Sequence, residues 1–372
     1  MNGPPRRPLR WPLALLPLAL LLQWLAWLAP GAVERVYARG VYRVIRHLHA
    51  VFTGWIPFSV AEVLTDAFLG GLVIYVALHA RPRALRACWA RDGRARRLTR
   101  IGRGLWAASG VVYLVFLAAW GLNYQRPSLA TLAGLGRAGG TPDELRALSG
   151  ELIVAANALR GGVGEDAQGV MRLPTGRRAT LDAAHEGMLR AAERLRPLDG
   201  PRVRPKPALF SPVLSWLAIA GIFVPFTGEA HVNTWLPDVD LRFAASHELA
   251  HQRGLAREDE ANYAATVACR LHPAAEFRYS GALLSSAYVQ GALARVDRPA
   301  AIALEGNRSP AVRRDLRALA EWSKRYRSRL SEVSNRVNDT YLRSQGQELG
   351  ALSYGAMVDL LLAERRLAQV AP

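Results

Sequence analysis

The chain has 372 residues, 51% of them hydrophobic, and a formal net charge of +18. That apolar share, concentrated in uncharged runs, excludes a single soluble globule and predicts membrane segments. With Cys88 and Cys269 as the only cysteines, a disulfide framework is excluded too.

Trp11 to Ala29 carries no charge and matches the roughly 20 apolar residues that cross a bilayer core. Its apolar run is longer than the roughly 7–15 residues of a cleaved signal peptide, so an uncleaved anchor (11–29) is expected. Two more spans are predicted, over 59–80 and 104–122, each with aromatic residues near its ends. Residues 1–123 are thereby expected to form a membrane domain. Nine arginines fall between Arg81 and Arg103, wedged between two spans as in a cytoplasmic loop. This loop accounts for the basic density, so no nucleic-acid partner is expected. It also places everything after Asn123 outside the cytoplasm. The segment from Pro30 to Pro57 carries Arg35, Arg39, Arg43 and Arg46 and is expected to be an amphipathic helix on the membrane surface.

In the remainder, 124–372, Thr141 to Arg160 reads as a helix with threonine at the cap, proline at the first helical position and acids in the first turn. A second helix is expected over Thr180 to Leu195. Ala208 to Phe226 is uncharged and nearly long enough to be a fourth span, but Pro212, Gly221 and Pro225 and its β-branched residues favour short strands. In the alternating stretch that follows, Glu229, His231 and Asn233 share one face of a strand. Such a strand beside a cleft can take an extended peptide onto the sheet edge. His231 is then a candidate to stabilise an oxyanion, its plainer alternative being an ordinary surface histidine.

SHELAHQRGLAREDEANYAA, from Ser246 to Ala265, holds a His-Glu-x-x-His box followed by acids. Four residues apart on a helix, His247 and His251 project from one face and reach one metal ion, with Glu248 beside it. Catalytic zinc takes about three protein ligands, so a third must be close by. Gly254 is suited to end the first helix, and a second is expected from Glu258 through EDEANYAATVACRL. Glu260 is the preferred third ligand, with Glu258 as the alternative. A histidine six residues after His251 would be the metzincin arrangement, but Arg257 stands there, so a gluzincin-like glutamate fits better. Glu248 is expected to act as general base on water activated by Zn2+. Cys269, in the second helix, has no partner at metal-binding spacing.

Beyond it, helices are expected near Ala274 to Arg295, Ser309 to Val333 and Tyr354 to Ala368. Asn338, Asp339 and Tyr341 form a polar knot. Tyr341 is a candidate donor to a tetrahedral intermediate, and a capped turn between helices is the alternative.

Three N-terminal spans, FTGEAHVN, SHELAHQRGLAREDEAN, VNDTYL and SYGAMVDLLL together resemble bacterial membrane proteins of the DUF3810 family (domain of unknown function 3810). The resemblance covers nearly the whole chain and is most specific in the box. That family is similar to gluzincin peptidases. It implies a mainly α fold with a small β-sheet (α+β), three transmembrane helices and a zincin-like domain over 124–372, with His247, Glu248, His251 and an acid of EDEAN carried over as site residues. The activity implied is a zinc metallopeptidase in the bacterial inner membrane acting on a peptide or protein substrate. A non-catalytic zinc-binding sensor or scaffold is the second reading. Intramembrane proteolysis is set aside, since RFAAS and QRGLAREDE are too polar for hydrocarbon.

Overall fold

The computed structural model describes residues 11–79, 91–136, 139–347 and 356–370. Its fold is mainly helical, with one three-stranded sheet. In chain order come α1 (Leu15–Leu28), a π-helical stretch over Val33–Val41 that leads into α2 (Tyr42–Phe52), then α3 (Val60–His79) and α4 (Arg91–Ala119). The chain divides into two compact units: Met1–Tyr42 with Val60–Arg126, and Arg43–Ser59 with Pro127–Pro372.

In the first unit, three helical segments among the described residues are long and apolar enough to cross a membrane: Trp11–Leu28, Val60–Leu78 and Leu98–Ala119. Residues 80–90, the first part of the arginine-rich loop with Cys88, lie outside the described residues. From Arg91 that sequence already forms the opening turns of α4. α1 and α4 touch where a Cβ on Gly110 would lie 2.6 Å from the Leu16 nitrogen, so glycine permits the close approach. Nearby, the Tyr113 hydroxyl donates to Gln23 Oε1 at 2.6 Å.

The second unit contains α5 (Pro142–Arg160), α6 (Gly176–Arg194), β1 (Lys206–Pro207), α7 (Ser211–Trp216), β2 (Gly221–Val224), β3 (Glu229–Val232), α8 (Asp238–Gln252) and α9 (Glu258–Leu271). α10 (Ala275–Val296), α11 (Arg298–Glu305), α12 (Pro310–Arg325), α13 (Arg329–Ser344) and α14 (Met357–Val370) complete it. Its core is helical: α8 is wrapped by α6, α9 and α10, and rests on β2 and β3. β3 is the central strand, parallel to β1 and antiparallel to β2.

Thr141 caps α5 as expected, in a reciprocal capping box with Glu144. Ala208 to Phe226 is neither a span nor strand throughout. Pro212 opens the short helix α7, Ala218 takes a left-handed φ of 58° and breaks the chain direction, and only Gly221–Val224 is strand. The segment expected as one helix over Ser309 to Val333 is two, because Ser328 starts a new helix with a capping box to Ser331. α13 then runs through Asn338 and Tyr341, where a turn was the alternative, and the chain turns at Gly346, φ 85°. The start of the last predicted helix, at Tyr354, lies outside the described residues.

Arg43–Ser59 is tied to the sheet by a buried lysine. Lys206 Nζ donates to the Thr53 and Phe58 carbonyls, both at 2.9 Å, and to Glu229 Oε1. Lys206→Met removes the ammonium from a buried carboxylate and is expected to cost about 3–5 kcal/mol. Thermal unfolding of the full-length protein in detergent, followed by tryptophan fluorescence, checks this; an unshifted transition would show that the pair contributes little.

Candidate metal centre

α8 forms a buried rod because Ala244, Ala245, Leu249 and Ala250 pack inward, leaving the box histidines on its remaining face. The helix stops at Gly254, which adopts φ 91°. Its N–H donates to the His251 carbonyl at 2.9 Å and the Leu255 N–H to the Ala250 carbonyl at 3.1 Å, the paired bonds of a Schellman end. The reversal brings α9 back alongside α8. Three acids crowd the α9 N-terminus, where the helix dipole favours negative charge.

On these two helices His247, His251 and Glu258 converge. His247 Nε2 lies 2.9 Å from His251 Nε2, and Glu258 Oε2 lies 3.2 Å and 3.6 Å from them respectively. Ligands at zinc–nitrogen and zinc–oxygen distances of roughly 2.0–2.1 Å stand about 3.3 Å apart in a tetrahedron, so the spacing fits one small cation. The other ring nitrogens are engaged. His247 Nδ1 is 2.8 Å from Asn262 Oδ1, and His251 Nδ1 is 2.7 Å from the Leu255 carbonyl. Both acceptors require Nδ1–H, which leaves two Nε2 lone pairs facing each other and a carboxylate oxygen. One shared cation, a proton or a metal ion, would resolve that arrangement.

Glu248 is buried on the same helix, and its Oε2 has no hydrogen-bond partner among the described residues. Strand β2 passes directly over it: a Cβ on Gly221 would lie 2.6 Å from Glu248 Oε1. The carboxylate is thus confined between α8 and the strand backbone, with no donor to one oxygen among the described residues. Burial raises the Glu248 pKa above the usual carboxylate value, with the two imidazoles pulling it partly back.

When no ion is bound, burial opposes charge on His251, but the Glu258 carboxylate outweighs it and pushes the imidazole up to about 9. Burial likewise opposes charge on Glu258, yet His251 and His247 hold it well below the usual carboxylate range. Because the His251 pKa is raised above its ordinary 6.5, the ion pair stabilises the metal-free fold fully below that pH and is lost as pH rises through about 9. An incoming metal must displace this proton. Zinc affinity is therefore expected to climb about tenfold per pH unit up to pH about 9 and then level, as measured by competition with a chromophoric chelator. A flat profile over that window would contradict the protonated pair.

The acid that meets the histidines is Glu258, not Glu260. Residues two apart on a helix point to opposite sides, and Glu260 Oε1 instead accepts the Leu129 N–H at 2.8 Å and lies 3.7 Å from Arg257 Nη1. His231 is buried on β3 with Nε2 2.7 Å from Ser59 Oγ and 3.9 Å from Glu229 Oε2, outside the converging cluster. Tyr341 sits late in α13 and is 36% exposed. Sequence reasoning missed Asn262 and the Leu255 carbonyl, which orient the two imidazoles, and Gly221, which covers Glu248. Helical phase carries the signal for the first: Glu258 and Asn262 are one turn apart and share a face.

No curated protein and no solved structure matches the chain. A family model described as "Protein of unknown function (DUF3810)" matches residues 37–362, far more than half of the sequence and including both helices of the candidate metal centre. The chain belongs to that family.

Proposed function

We propose that the chain is a membrane-anchored, zinc-dependent metallopeptidase of zincin-like (gluzincin) type. The observation that carries this reading is the convergence of His247, His251 and Glu258 with a buried, under-bonded Glu248 beside them. The nitrogen and oxygen donor set suits zinc, and three protein ligands are the number found at catalytic sites. When bound, such an ion supplies Lewis acidity, which polarises a carbonyl and makes water a stronger acid.

The protein's own groups supply the rest. Asn262 and the Leu255 carbonyl hold both imidazoles in the tautomer that presents Nε2. Glu248 takes a proton from the attacking water and returns it to the leaving amine. β2 is an outer strand whose backbone crosses Glu248, so an extended peptide added to its outer edge carries its own backbone past that carboxylate. With the arginine-rich loop on the cytoplasmic side of a bacterial inner membrane, the metal-bearing unit lies outside the cytoplasm.

Metal analysis of the purified full-length protein, paired with a quenched-fluorescent peptide library, tests the reading. The expected result is one zinc per chain and cleavage that a chelator abolishes and zinc restores. One zinc without cleavage of any peptide would overturn the peptidase and favour the non-catalytic sensor or scaffold. Absence of bound zinc would overturn both.

A further inference from the structure

We propose that α2 is seated in the headgroup region of a lipid bilayer and holds the metal-bearing unit against the membrane surface. The helix wears its faces inverted. Val44, Leu48, Val51 and Phe52 share one side and are 59%, 49%, 66% and 67% exposed, and Trp55 just beyond them is 70% exposed. Its inner side carries polar groups that bond to the unit, beside Ile45 and the core-packed Ala50. Arg46 is buried and donates from Nη1 to the Arg253 carbonyl at 3.4 Å. His49 lies over the β2–β3 turn, where a Cβ on Gly228 would come within 2.2 Å of His49 Nδ1. Thr53 Oγ1 donates to the Thr227 carbonyl at 3.0 Å. A helix packed on a water-soluble domain buries its apolar stripe, whereas here the stripe points away from the unit that carries it. A contiguous exposed apolar surface of this kind marks a contact.

Chain continuity identifies what it contacts. Ser59 leads directly into α3, whose Val60–Leu78 is apolar enough to cross a bilayer. Trp55 precedes Val60 by five residues, a distance of at most about 18 Å in fully extended chain. The exposed stripe is thus leashed to the edge of the hydrocarbon. From Arg35 to Ala61 there is no acidic residue, and Arg43 and His47 are exposed beside the stripe, which suits anionic headgroups. Tryptophan at the end of the stripe is the side chain that prefers the lipid–water boundary. Since Arg46 and Thr53 bond to the Arg253 and Thr227 carbonyls, the lipid contact fixes the height of the end of α8 above the bilayer. This contact is independent of the chemistry at the metal centre.

Full-length protein carrying Cys88→Ser, with Cys269 buried and unlabelled, accepts a single nitrobenzoxadiazole label at Val51→Cys or, in a second variant, Val44→Cys. The proteins are placed in nanodiscs of phosphatidylethanolamine and phosphatidylglycerol. The expected result at both positions is blue-shifted emission, loss of intensity with lipid spin-labelled near the headgroup, and shielding from aqueous iodide. A label at Val154→Cys, equally exposed on α5, is expected to show the opposite pattern. Iodide quenching at Val51 and Val44 equal to that at Val154 would overturn the proposal. Shielding from iodide without loss to the spin-labelled lipid would also overturn it, assigning the stripe to a protein partner.

Discussion

Glu248→Gln is expected to keep one zinc per chain and to lose peptide turnover by about 10²–10⁴-fold, the usual contribution of a positioned general base. The substitution separates the two roles cleanly because Glu248 is outside the trio that converges on the cation position. Glutamine fills the same space beneath the β2 backbone at Gly221, so packing is conserved while the proton acceptor is removed. In the metal-free protein burial raises the Glu248 pKa, with the two imidazoles pulling it partly back. Metal content and rate are read on the same preparation. Turnover equal to wild type would remove Glu248 from the chemistry.

The parts of this protein legible in its sequence are those governed by one dominant physical constraint. Bilayer thickness sets the length of an apolar run, so 11–29, 59–80 and 104–122 lie close to the helical segments observed. Two histidines at helical spacing followed by glycine point to a helix, its histidine-bearing side and its end without tertiary information. Where two constraints compete, the sequence is ambiguous. Ala208 to Phe226 has the apolarity of a span, and what divides it is a left-handed alanine at 218, which carries no compositional signal. The inverted faces of α2 depend on Arg253, 207 residues further on, whose carbonyl gives the buried Arg46 guanidinium an acceptor. Ser328, by contrast, was a readable signal: Ser-x-x-Ser breaks an apparently continuous helix through local capping alone.

The choice of third ligand shows the same competition at one position, and it gives the other large expected effect. Glu258→Ala is expected to weaken zinc binding by more than the roughly 10–100-fold that follows loss of a group merely orienting a ligand. Glu260→Ala is expected to retain zinc and lose fold stability instead, by about 1–3 kcal/mol, because the buried Leu129 N–H loses its acceptor. Both acids occupy the first turn of α9, so charge count and helix-dipole effects are common to the pair and cancel in the comparison. Only direction differs, with Glu258 3.2 Å from His247 and Glu260 held by Leu129 on the other side. Chelator competition gives the affinity and thermal unfolding in excess chelator gives the stability free of metal linkage. If Glu260→Ala released the zinc and Glu258→Ala kept it, the trio His247, His251 and Glu258 would not be the metal centre.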